Sequence, residues 1–133
     1  MNVLIVSPGY PADMPEFTRG LAESGVRVIG LGDQPSGSLP PLARQSLSDY
    51  VQVPNLWRGD EVAARVSEQL RGQELNRIEC LWEPGVMLAA ELRERFGVQG
   101  LSMEQANRFR DKEAMKQALD DASIRTPRHY SAT

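Results

Sequence analysis

The chain has 133 residues, 41% hydrophobic and 25% charged, the make-up of one ordinary globular domain able to bury a core without staples. A net charge of -3 and a pI near 5.2 exclude nucleic acid as the main partner, because neutralising phosphates needs a clustered excess of cations. The single cysteine, Cys80, excludes an internal disulfide and a cysteine-based metal site, and fits the reducing cytoplasm.

The chain begins Met1-Asn2-Val3-Leu4-Ile5-Val6, with no basic leader, and turns polar within a few residues. It reads as a first strand rather than a signal peptide. No apolar run approaches the roughly 20 residues of a membrane span, so no membrane partner is expected. Short apolar runs at 3–6, 26–31, 50–53 and 78–82 are nearly continuous, the pattern of parallel strands buried on both faces. A shorter fifth strand is expected at 97–100. A first helix is expected over 15–24, with Phe17 and Leu21 one turn apart on its apolar side and Gly25 closing it. The stretch 32–48 carries Pro35, Gly37, Pro40 and Pro41 and reads as a loop with a weak helical turn at 42–47. Val62, Val66 and Leu70 form a helical stripe closed by Gly72; Leu88, Leu92 and Phe96 repeat it before Gly97. Strand alternating with helix predicts a doubly wound α/β domain around a mostly parallel open sheet.

The last third changes character. Ser102-Met103-Glu104-Gln105 has the form of a capping box and opens a helix to about Phe109. Asp111 is placed to cap a second helix with Met115, Ala118, Leu119 and Ala122 on one side, ended by Ile124 and Pro127. The segment 126–133 reads as a connection leading onward. The organisation expected is a domain over 1–109 and a lead-in helix and linker over 110–133.

In an open parallel sheet, ligands bind outside the carboxyl ends of the strands. The candidates there are Ser7-Pro8-Gly9-Tyr10-Pro11, then Gly32 and Asp33, then Glu83-Pro84-Gly85. Glu83 has two readings. It caps the following helix, whose dipole favours negative charge, or it binds an amine or hydroxyl of a substrate. The loop at Gly9 is either an anion site at a helix N-terminus or an ordinary proline-rich turn. Gly30-Leu31-Gly32 lacks the third glycine of a dinucleotide fingerprint and follows the second strand, not the first. No glycine-lysine phosphate loop exists either. Cys80 reads as a small buried hydrophobe. His129, the only histidine, reads as a solvated residue. Lys112 breaks a local rule: a lysine in a first helical turn opposes the helix dipole, and such breaks point to function.

Arg110-Asp111-Lys112-Glu113-Ala114-Met115-Lys116, then Leu119, then Ile124-Arg125-Thr126-Pro127, resembles the lead-in to the nucleotide-binding domain of ATP-grasp ligases. Biotin carboxylase, carbamoyl phosphate synthetase and the formate-dependent glycinamide ribonucleotide transformylase are members. Upstream, Glu83, the stretch with Ala89-Ala90 and Leu92, and Phe96-Gly97-Val98-Gln99-Gly100-Leu101-Ser102 also resemble these enzymes. The likeness extends along the chain, and its specific part runs from Glu83 to Pro127.

The resemblance implies a Rossmann-like pre-ATP-grasp domain of a ligase that joins a carboxylate to an amine or thiol through an acyl phosphate. ATP and Mg²⁺ then belong to the full-length enzyme, held mostly by a C-terminal ATP-grasp domain that is this domain's partner. This part alone is expected to hold no cofactor or metal, to contain no catalytic residue and to turn over no substrate. Lys112 falls where the family places an ATP-phosphate-contacting cation. Glu83 falls where members place a substrate-contacting glutamate, and Gly9 and Tyr10 fall in a loop that binds small-molecule substrate. Members are often dimers, so a homodimer is a possible assembly. The sequence departs from the pattern in two places. The loop after the first strand lacks the glycines and Gly-Glu-Leu of the purine enzymes, which argues against a purine-pathway substrate. Ser123 stands where a helix-ending glycine is usual. The competing readings are a standalone flavodoxin-like binding or regulatory domain and a small dinucleotide or nucleotide-sugar enzyme.

Overall fold

A computed structural model describes residues 1–128 and 130. His129 and residues 131–133 of the terminal connection lie outside the described residues.

Asn2 and the four consecutive apolar residues after it form strand β1 (Asn2–Val6), which lies inside the sheet. Helix α1 (Met14–Glu23) leads to β2 (Arg27–Gly32) and short α2 (Pro41–Ser46) to β3 (Asp49–Gln52). Helix α3 (Gly59–Leu70) then leads to β4 (Arg77–Glu79) and α4 (Val86–Phe96). The four strands lie in the order β3-β2-β1-β4 and every pairing is parallel. The expected α/β architecture is therefore present, with helices on both faces.

Alternation along β1 explains the two layers. Leu4 and Val6 face a cluster that includes Ile29, Leu31, Val51, Ile78, and Val62, Val66 and Leu70 from α3, with Leu88 and Leu92 from α4. Val3 and Ile5 face the other way, onto Met14 of α1 and Val28, with Leu21, Ala22 and Leu47 around them. Each such fully buried aliphatic side chain contributes about 1.5–3 kcal/mol by leaving water.

Three sequence expectations are corrected. Phe17 does not line the inner face of α1. It is exposed, and Met14, Pro15 and Thr18 are buried instead. Thr18 can be buried because its hydroxyl donates to the Met14 and Pro8 carbonyls. The run at 78–82 is strand only as far as Glu79, so Glu83 begins a single 3-10 turn and does not follow the strand directly. No fifth strand forms at 97–100. Gly97 takes a left-handed φ of 64° to end α4, and the Val98 amide donates back to the Arg93 carbonyl. That is a helix C-terminal motif, and it consumes the backbone a ladder would need.

Arg93 occupies the place of the missing strand. Its side chain is only 7% exposed. Its Nε donates to the Ile78 carbonyl on β4 at 2.8 Å, and another nitrogen donates to the Leu101 carbonyl at 3.0 Å. A third contact, 3.1 Å, pairs it with Glu79. One guanidinium thus ties the strand, its helix and the following segment together.

Beyond it come α5 (Met103–Arg110) and α6 (Lys112–Asp121). The capping box at Ser102 and Gln105 is formed in both directions. Asp111 caps α6, accepting from the amides of Glu113 and Ala114. Ser123 adopts the left-handed φ of 58° that a glycine would take at lower cost. α6 packs on α5, which packs on α4, and no residue of α6 is buried. The boundary expected at 109 falls in the last turn of α5.

Candidate functional site

The strand ends converge on one cavity of about 280 Å³. Its floor and one wall come from the loop after β1, Ser7 to Tyr10, together with Gly32 and Asp33 at the end of β2. Gln34 and Leu39 follow from the long loop, Tyr50 from β3, Leu56 from the loop after it, and Trp82 from beyond β4. The site thus sits where an open parallel sheet should place it.

The loop after β1 is held tightly. Ser7 has a left-handed φ of 59°, uncommon for a residue with a side chain. Its amide donates to the Leu31 carbonyl and its hydroxyl to the Tyr10 carbonyl, both at 2.8 Å. Gly9 lies against the long loop: a Cβ there would meet Pro40 Cδ at 2.7 Å. The two glycines of the failed dinucleotide fingerprint have a packing reason as well. A Cβ on Gly30 would meet Tyr50 and Leu47, each at 2.9 Å, and one on Gly32 would collide with the Tyr50 hydroxyl. Small residues on β2 let the Tyr50 ring lie across the strand. Its hydroxyl then donates to the Gln34 carbonyl at 2.7 Å. Burial, and after it the nearby Asp33 carboxylate, push the Tyr50 phenol above its ordinary value.

The mouth is aromatic. Tyr10 meets Trp82 edge to face, with ring centroids 5.8 Å apart. Trp57 meets the same indole at 5.6 Å, tilted by 44°. Tyr10 is 61% exposed and Trp57 58% exposed. Large rings are seldom left this open without a partner to cover them.

The residues singled out in the sequence divide into two groups. Gly9 and Tyr10 line the cavity, as do Ser7, Gly32 and Asp33. Glu83 and Lys112 do not line it. Glu83 accepts from Arg110 Nε at 2.8 Å, across 27 positions of sequence, and makes no side-chain hydrogen bond as a cap. Lys112 begins α6, two positions after Arg110, and is exposed. Among the described residues it takes part in no ion pair, and the Asp111 cap beside it offsets its conflict with the helix dipole. Arg110, the partner of Glu83, thus stands two positions before Lys112 in sequence. Burial pushes the Cys80 thiol up, and its Sγ donates to the Trp82 carbonyl. Its side chain packs partly buried beside the core. Among the described residues no three or more His, Cys, Asp or Glu side chains gather to hold a metal ion, and no helix is long and apolar enough to cross a membrane.

Sequence reasoning missed Leu39, Tyr50, Leu56 and the aromatic mouth. One signal for the mouth was present: the chain has two tryptophans, and each follows an apolar strand run.

No family model and no curated protein matches the chain. Among solved structures, the crystal structure of L-amino acid ligase from Bacillus licheniformis is similar, with a TM-score of 0.76 at 18% identity. The match covers 95% of this chain and 31% of that chain. At that identity the likeness establishes the fold, and this chain spans less than a third of the ligase it resembles.

Proposed function

We propose that this chain is the N-terminal, substrate-binding domain of an ATP-grasp ligase that joins a carboxylate to an amine or thiol through an acyl phosphate. The observation that carries the reading is the extent of the fold likeness: nearly all of this chain against under a third of a ligase. The lead-in pattern from Arg110 to Pro127 supports it, as does a cavity at the strand ends. The proposed setting is the cytoplasm.

The division of labour follows from where the residues sit. The cavity between Gly9, Tyr10 and Trp82 holds one end of the small-molecule substrate, replacing its freedom of orientation with a fixed pose. Glu83 offers a carboxylate to substrate groups that project past Trp82, while Arg110 fixes its direction. Lys112 offers an ammonium to a nucleotide phosphate at the start of α6. ATP with Mg²⁺, when bound by an adjoining domain, supplies the activated phosphoryl group. No residue of this chain is assigned to the metal.

The test is ADP release by the product of the complete reading frame, with Mg²⁺, ATP and amino-acid pairs. Substrate-dependent release is expected. Lys112→Ala is expected to raise the KM for ATP about tenfold, which corresponds to about 1.4 kcal/mol. The 133-residue chain alone is expected to release none. A reading frame that closes at Thr133, or a complete product that releases no ADP, overturns the ligase. The second reading then stands, a free-standing binding domain, which the cavity favours because this chain builds all of it.

A further inference from the structure

We propose that the cavity at the strand ends selects a ligand carrying a cationic amine, which sits between the Asp33 carboxylate and the rings of Tyr10 and Trp82. The proposal rests on the substrate-binding reading of this same site and narrows it from amine or thiol to amine.

Charge comes first. Among the described residues, Asp33 is the only one lining the cavity with a formally charged side chain, and no lysine or arginine lines it. The cations Arg110 and Lys112 are outside it, and Arg110 is engaged by Glu83. A phosphate or carboxylate placed here would meet a carboxylate and no counter-charge. The helix that follows offers an anion little, because Asp13 stands at the N-cap of α1 and Glu16 lies in its first turn. Nothing in the wall repels a cation.

The rings give the second, independent reason. An ammonium is attracted to the faces of tryptophan and tyrosine rings, most strongly tryptophan. Here Tyr10 and Trp82 line the cavity with their ring planes 85° apart, and Trp57, which does not line it, packs on Trp82 at 44°. Parallel stacked rings would each cover a face of the other, whereas in an edge-to-face pair the ring that offers its edge keeps both faces free. Leu39 and Leu56 add apolar wall, so the occupant carries hydrocarbon beside its charge. Tyr50 is held by Gln34 and stands as a rigid back wall.

The experiment uses the protein's own fluorescence. Both tryptophans of the chain, Trp57 and Trp82, lie at this mouth, so occupancy is read directly and without catalysis. Three probes of similar shape are titrated into the 133-residue chain: L-phenylalaninamide, a cation; N-acetyl-L-phenylalaninamide, neutral; and N-acetyl-L-phenylalanine, an anion. The cation is expected to saturate the signal at a concentration at least about tenfold below either of the others. Asp33→Asn, isosteric at an exposed position, is expected to bring the three within about twofold of one another. Tyr10→Leu is expected to weaken the cation more than the neutral probe, a difference that a folding defect would not produce. Equal or tighter binding of the neutral or anionic probe overturns the proposal. So does a flat signal with all three at millimolar concentration, or cation selectivity that survives Asp33→Asn. Failure here is distinct from failure of the ligase reading. Cation selectivity without ADP release by the complete product leaves the pocket and removes the ligase. ADP release without cation selectivity does the reverse.

Discussion

Arg93 shows how much one side chain can organise. Its guanidinium is nearly buried and satisfies two backbone carbonyls and Glu79 at once. Arg93→Met keeps the aliphatic volume but leaves the Ile78 and Leu101 carbonyls without their donor. Only the Ile78 carbonyl is buried, since Leu101 is exposed, so a loss of about 1–3 kcal/mol is expected in urea unfolding. The pair Glu83 and Arg110 is a contrast, since Glu83 is 69% exposed and the bond is screened by water. Arg93 was invisible in the sequence. Its position on the Leu88, Leu92, Phe96 helix reads as an ordinary charged residue, and only the carbonyl opposite gives it a purpose. Site residues were legible where the strand-end rule applies, which is why Ser7, Gly9, Tyr10, Gly32 and Asp33 were found. Tyr50 was not, because it lies within a strand and reaches the cavity only across two glycines of the neighbouring strand.

Among the elements, the four strands were legible because apolar runs between glycines leave few alternatives. Their ends were less so. Composition continues apolar through Cys80, Leu81 and Trp82, but the chain leaves the ladder at Glu79 to bring Trp82 to the cavity. The expected fifth strand failed because a helix C-terminal motif and a strand compete for the same amides, and the left-handed Gly97 decides for the motif. Helix α6 was legible through its cap. It has no buried residue to hold it, so the cap carries an unusual share of its stability. Asp111→Ala is expected to cost about 1 kcal/mol. Hydrogen exchange checks this: amides of α6 should lose protection while those of β1 and β2 keep theirs. Uniform loss across the chain would contradict it.

Taken whole, the molecule is two apolar layers around four strands, and the cavity is walled by residues on or just beyond all four strands. Tyr50 therefore couples the site to global stability. Its phenol is raised in the folded state, first by burial and then by Asp33. Stability from this group is fully present below the unfolded value of 10.0 and is lost as pH rises through the raised folded value. Tyr50→Phe forfeits the hydrogen bond to Gln34 and should be less stable at neutral pH by about 1 kcal/mol. The gap between the two proteins in urea midpoint is expected to narrow above pH 10.0. A gap that stays constant to the highest pH at which both fold would show that the phenol does not titrate with unfolding.

The guanidinium at β4 has a counterpart at the opposite border of the sheet. On β3 the Tyr50 amide donates to the Asp49 side chain, and the Tyr50 carbonyl accepts from Gln69 of α3. Both outer strands thus have backbone groups already occupied by side chains of the same molecule. A foreign chain seeking to template itself onto either border must first break those bonds. A sheet only four strands wide is in this way shielded from growing into a fibre, without closing into a barrel and without a further strand on either side.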